Sequence, residues 1–184
     1  YLQEWVGETV GKEIHLALRF DAEWWPNPSL KVNTVQTHQD VINQHGDVWW
    51  GKFGRGISDS KFEDIKNQID QGIPTYAYLF ENSPFDGAFV AQIKDIANDY
   101  FDTKSDLIPS YYRREAAQYD LFLKYNYFQK KDRNEFFNSL VMFNNPVVGS
   151  LEKAFKGASS LFFVAHNVNN NEITSNDDNK RTKV

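Results

Sequence analysis

Apolar and polar residues alternate with a period of two along Ile14, Leu16, Leu18 and Phe20 against His15, Ala17 and Arg19, which predicts a strand with one buried face. On that reading His15 points to solvent. Pro26 and Pro28 predict that the strand gives way to an irregular loop carrying Trp24 and Trp25, because proline holds the residue before it in an extended or turn conformation. Such a loop suits a lid. Between Asn33 and Gln44 a short helix is only faintly marked. Asp47-Val48-Trp49-Trp50-Gly51 then follows a turn at Gly46, and if it is extended its two tryptophans face opposite sides.

Gly51-Lys52-Phe53-Gly54-Arg55-Gly56 has glycines but neither the Lys-Ser/Thr ending of a P-loop nor the spacing of a dinucleotide fingerprint, so it reads as a flexible turn. Ser60 and Glu63 have the spacing of a capping box. Phe62, Ile65 and Ile69 would share one face of the helix it starts, with Gly72 ending it. Tyr76, Tyr78 and Phe80 alternate with smaller residues as a strand, and Asn82 to Gly87 turns it into a second strand from Ala88 to Ile96, a hairpin. Alternation from Tyr119 to Tyr127 predicts one long strand. Ser150 opens a short helix with Leu151, Ala154 and Phe155 inward and Gly157 at its end, and Leu161 to Val164 forms a last strand.

Composition sharpens this outline into one α+β domain over residues 1–166. At 184 residues, 41% hydrophobic and 16% aromatic, the chain is long enough to bury a core. Beyond Asn167 the segment is rich in asparagine and charge with no apolar period, so residues 167–184 read as a linker to a further domain. No apolar run reaches the ~20 residues of a membrane span, and the start lacks the layout of a signal peptide. With no cysteine there is no disulfide, thiolate zinc ligand or thiol nucleophile, and a reducing cytoplasm suits the chain. A formal charge of -5 argues against indiscriminate binding to polyanions but leaves room for a local basic face.

Chemistry of the catalytic kind does not assemble. His15, His38, His45 and His166 are scattered without metal-ligand spacing, no Gly-x-Ser-x-Gly elbow exists, and the carboxylate pairs sit where solvation explains them. The expectation is therefore a binding module with no cofactor and no metal, not an enzyme. Four of the five tryptophans fall between Trp24 and Trp50, and two adjacent pairs are either core or the walls of a binding surface. Lys130, Lys131 and Arg133, with Arg113 and Arg114, are either a solvated face or contacts for phosphates.

The order of features has a resemblance. A strand ending in a polar residue, Val48-Trp49, a helix, Tyr76 to Phe80, the turn Asn82-Ser83-Pro84-Phe85-Asp86-Gly87, a later strand, a basic stretch and Asn145-Pro146 look like a YTH domain. More broadly they resemble the PUA-like superfamily that includes EVE domains, over roughly Ile14 to Val164. The resemblance implies a twisted or barrel-like β-sheet flanked by short helices, with an aromatic cage around a methylated base. It gives Trp49 the cage wall and Asp21 the base-contacting polar group, and it sets Trp50 where a small polar residue is usual. The second cage ring falls to Tyr111, Tyr112, Trp24 or Trp25, and the segment from Trp24 to Asn33 is longer than the pattern. The implied partner is nucleic acid with a modified base, DNA before RNA, recognised for a larger restriction or defence protein. A peptide-docking module and a small nucleotide sensor use the same aromatic surface and are the alternatives.

Overall fold

A computed structural model describes residues 13–167, apart from 53, 55, 83–86, 101, 102 and 104 and from the side chains of 24–27 and 105. In chain order the strands and helices are β1 (His15–Phe20), β2 (Glu23–Asn27), β3 (Leu30–Asn33), α1 (Thr34–His45), β4 (Val48–Gly51), α2 (Asp59–Asp70), β5 (Tyr76–Glu81) and β6 (Ala88–Ala97). Three 3-10 turns follow, Ser105–Leu107, Ser110–Tyr112 and Ala116–Gln118. The chain closes with β7 (Phe122–Tyr125), β8 (Gln129–Lys131), α3 (Arg133–Ser139), β9 (Leu140–Met142), α4 (Ser150–Ala154) and β10 (Leu161–His166). Eight strands form one sheet in the order β4-β7-β6-β5-β1-β10-β9, with β8 also on β6. The sheet is mixed: β1 and β5 run parallel and the other neighbours antiparallel. Among the described residues no helix is long and apolar enough to cross a membrane.

Strand β1 lies at the middle of the sheet and is covered on both faces. Ile14, Leu16, Leu18 and Phe20 join the main core with Trp50, Ile65, Leu79, Leu123 and Tyr125. Ala17 enters a second core with Phe80, Phe136, Leu140, Leu151 and Phe155, supplied by α3, α4 and the β9–β10 edge. His15, expected to face solvent, is instead buried at 1% exposure, packed among the Tyr76, Tyr78 and His166 rings of the flanking strands. Its ring stacks on His166 at 4.4 Å, and its Nδ1 accepts the Tyr76 N–H at 3.1 Å.

Local signals account for most remaining boundaries. The expected irregular loop at Trp24 and Trp25 is instead the hairpin β2–β3, closed by a Lys31–Glu23 ion pair. Helix α1, faint in the sequence, is capped by Asn33, whose side chain accepts from Gln36 N, and it ends at Gly46 with a φ of 93°. Helix α2 starts two residues before the expected capping box, since Ser58 accepts from Lys61 N and Asp59 suits the first turn.

Of the long strand expected over Tyr119 to Tyr127 only the short β7 forms, and β8 begins beyond it. β6 changes register between Ile93 and Asp95, so β7 pairs with its second half and β8 with its first. Asn167, expected to begin the tail, is buried and donates its N–H to Ser139 O at 2.7 Å. The rest of the expected tail lies outside the described residues.

Candidate functional site

Parallel pairing brings the ends of β1 and β5 to the same edge, where Phe20 and Asp21 stand beside Glu81 and Asn82. Asn82 donates its backbone N–H to Phe20 O at 2.9 Å and its side-chain amide to the Asp21 carboxylate at 2.7 Å. The start of α1 is tied to this edge as well: Thr34 N donates to Ala22 O at 2.9 Å and Thr34 Oγ1 to Asp21 O at 2.5 Å. Between this edge, α1, the end of β4 and the segment from Tyr111 to Tyr119 lies a cavity of about 620 Å³. Ligand pockets span roughly 300–1,000 Å³, so the space has the size of a small-ligand pocket.

Its walls are largely aromatic: Phe20, His38, Trp50, Tyr111, Tyr112 and Tyr119. Trp50 meets Phe20 edge-on at 5.5 Å and lies 4.4 Å from the His38 ring. Tyr112 stacks on Tyr119 at 5.7 Å and takes Tyr111 edge-on at 4.8 Å. Asp21, Asn82, Lys52, Glu115 and Gln118 add polar groups. Burial, and then the neighbouring Tyr119, holds the Tyr111 hydroxyl well above the usual tyrosine range, so it stays a donor near neutral pH. Burial pushes the Lys52 ammonium below its ordinary value.

Tyr112 locks the cavity floor. Its hydroxyl accepts the Gly51 N–H at 3.1 Å and stands 3.0 Å from both Trp49 O and His38 Nε2, two acceptors that share its single proton. His38 Nδ1 is 2.7 Å from Thr34 O, an acceptor, so Nδ1 carries the proton. Burial lowers His38 to about 4, and the ring is neutral at pH 7. Gly51 matters for space: a Cβ there would come within 2.4 Å of Tyr119 Cδ2. Gly51→Ala is therefore expected to displace the Tyr119 ring and to weaken ligand binding about tenfold with a smaller loss of stability. Titration of the variant beside a melting curve checks this, and unchanged affinity would count against Tyr119 as a cavity wall.

Of the residues named by the resemblance, Asp21, Trp50, Tyr111 and Tyr112 line the cavity. Trp49, expected as a partly exposed cage wall, is 3% exposed on the opposite side of β4 with Ile108, Ala116 and Phe122, and Lys124 Nζ stands 5.5 Å from its ring centroid. Trp50, and not Trp49, is the ring of β4 that lines the cavity. Trp24 and Trp25 lie on β2, with side chains outside the described residues. Of the basic residues, Arg114, Lys130 and Lys131 are exposed. Arg113 instead donates to Ile108 O at 2.9 and 3.2 Å, fastening its own turn. Arg133 donates to Glu81 O at 2.9 Å and lies 5.7 Å from the Phe155 centroid.

Arg19, His38, Lys52 and Tyr119 were missed. Only His38 had a readable signal, the spacing of four that sets Thr34, His38 and Ile42 on one helical face. Arg19 stands 4.0 Å over Phe155 and donates to Phe155, Gly157 and Ser159 carbonyls, so it reaches the cavity while holding the loop after α4. Among the described residues neither Arg19 nor Arg133 forms an ion pair, and no three His, Asp or Glu side chains converge as metal ligands.

A family model described as Pua-like matches residues 26–155, well over half of the chain. The chain belongs to the Pua-like family. No curated protein and no solved structure matches it. The matched span begins within β2 and ends just after α4, so it takes in most of the cavity wall of this Pua-like domain. β1, with Phe20 and Asp21, lies just ahead of it.

Proposed function

We propose that this Pua-like domain reads a modified, methylated base of nucleic acid, with DNA favoured, after the base has left the stack and entered the aromatic cavity. The observation that carries the reading is the pairing of ring walls with a hydrogen-bonded Asp21–Asn82 edge at the mouth. Rings supply stacking worth about 1–3 kcal/mol per base, which offsets part of the cost of unstacking. Asp21 accepts from a base N–H while Asn82 fixes the carboxylate's direction. Exposed Arg114, Lys130 and Lys131 are the groups for flanking phosphates. A peptide dock calls for a shallow groove or a free sheet edge, and the concave aromatic cavity favours a flat ligand instead. The role is that of a binding module, without cofactor, which recognises modified DNA for a larger restriction or defence protein in the cytoplasm.

Burying one methyl group is worth about 0.8 kcal/mol, roughly a fourfold preference before any cage fit is added. A methylated oligonucleotide is therefore expected to bind at least about fourfold more tightly than its unmodified twin. Fluorescence anisotropy at two salt concentrations reads this directly. Equal affinity for the two strands with a steep salt slope means phosphate binding alone and overturns the reading.

A further inference from the structure

Trp50 and Lys52 stand two positions apart where β4 ends. The ladder with β7 continues past Gly51, since Lys52 N donates to Leu121 O at 2.9 Å, the step after the pairing of Gly51 with Phe122. Side chains two apart on an extended strand share a face. Lys52 therefore rises beside the Trp50 ring on the cavity side of the strand, and both residues line the cavity. Lys52 is only 8% exposed, so its ammonium belongs to the wall of the cavity and not to the outer surface. Drawn away from water, an ammonium gains more from an acceptor than one in bulk solvent does.

A second polar group reaches the same space from another side. Phe20 meets Trp50 edge-on at 5.5 Å, and the residue after it, Asp21, has its carboxylate held by the Asn82 amide at 2.7 Å. Asp21 is an acceptor and Lys52 a donor. The other cation that lines the cavity, Arg19, donates to the carbonyls of Phe155, Gly157 and Ser159 and is committed to the loop after α4. A flat ring lying on Trp50 thus meets a carboxylate at one edge and an ammonium at another.

We propose that Asp21 and Lys52 form a two-point code that selects an amino-carbonyl base, a methylated cytosine or guanine, and rejects methylated adenine and thymine. The inference rests on the base-reading role of the cavity and names the class of base it reads. Cytosine and guanine each carry an exocyclic amino group, whose N–H suits the Asp21 carboxylate, and a ring carbonyl, whose oxygen suits the Lys52 ammonium. Adenine has the amino group but no carbonyl, so Lys52 meets at most a ring nitrogen. Thymine has the methyl group of 5-methylcytosine but a carbonyl in place of its amino group, which sets oxygen against the Asp21 carboxylate. A site built to hydrogen-bond one group discriminates strongly against a ligand that lacks it, because a desolvated donor or acceptor is then left unmatched.

The test is anisotropy titration of single DNA strands that differ at one base: 5-methylcytosine, N2-methylguanine, N6-methyladenine or thymine, with unmodified cytosine, guanine and adenine beside them. Wild-type protein is expected to bind the 5-methylcytosine or the N2-methylguanine strand about tenfold or more tightly than the N6-methyladenine and thymine strands. Lys52→Met, which keeps most of the stem, is expected to bring the preference over N6-methyladenine to within about threefold. Asp21→Asn, whose amide donates to a carbonyl, is expected to do the same for thymine. Melting curves check that both variants fold, and the wild-type ranking decides the matter without them. Wild-type protein that favours N6-methyladenine over both amino-carbonyl bases overturns the code and leaves the cavity reading intact. So does a folded Lys52→Met variant that weakens every strand equally, the mark of a phosphate contact in place of a base contact. Equal affinity of each methylated strand and its unmodified twin overturns the cavity reading, and the code with it.

Discussion

Trp49→Ala is expected to lower the unfolding free energy by about 3–5 kcal/mol while leaving the affinity of the folded molecules for a methylated strand unchanged. Trp49 packs behind β4 in one cluster with Ile108, Ala116, Phe122 and Tyr112 and does not itself line the cavity, so its loss empties a core site and removes no direct ligand contact. Trp50→Ala is expected to cost a comparable amount of stability and the binding as well, since that ring is 5% exposed and lines the cavity. Trp50→Phe separates the two effects: it keeps most of the apolar contact with Phe20 and Tyr125 but offers a smaller ring to the ligand. Urea unfolding and anisotropy titration on all three variants decide it. Binding lost with Trp49→Ala at intact stability would return the cage to the other face of the strand.

The placement of the two rings shows where alternation stops being informative. Alternation correctly sends Trp49 and Trp50 to opposite sides of β4, but a strand covered on both sides gives no sequence sign of which side holds a cavity. The same limit hid the burial of His15, because the rings that enclose it, Tyr76, Tyr78 and His166, come from strands far along the chain. Elements with their own local signals were legible: the β5–β6 hairpin, the short helix at Ser150 and the last strand. Helix α1 was barely so, since its buried positions are Thr34, His38 and Ile42, with a buried imidazole where a leucine would announce itself. The cavity gathers residues from β1, α1, β4, β5, the tyrosine segment and the loop after α4, and no linear spacing encodes such a convergence. Basic residues misled for a related reason. A count of positive charges cannot tell Arg113, spent on a carbonyl of its own turn, from Lys130 and Lys131, which face water.

Acidification is expected to destabilise the domain through two buried imidazoles before most of its surface responds. Burial first, then the charge of His166, lowers His15 to about 3, while burial lowers His38 to about 4. Both folded values lie below the ordinary histidine value of 6.5, so the unfolded chain binds more protons below that pH. The stability held by the neutral rings is complete above pH ~6.5, declines as pH falls below it and is gone once pH passes the folded values. For His15 the loss is on the order of 3–5 kcal/mol, a large share of the 5–15 kcal/mol that typically separates folded from unfolded.

Geometry makes His15 the stricter of the two. Its Nδ1 accepts the Tyr76 N–H, so a second ring proton would set donor against donor. His38 is more forgiving: a proton on Nε2 would point at the Tyr112 oxygen, which still donates to Trp49 O. His15→Gln, whose side-chain oxygen accepts the same N–H without titrating, is therefore expected to flatten the stability profile between pH 6.5 and 3 more than His38→Gln does. Urea unfolding of the wild type and both variants across that window removes the carboxylates common to all three by difference. Parallel profiles for wild type and His15→Gln would mean that the imidazole is not the acid trigger.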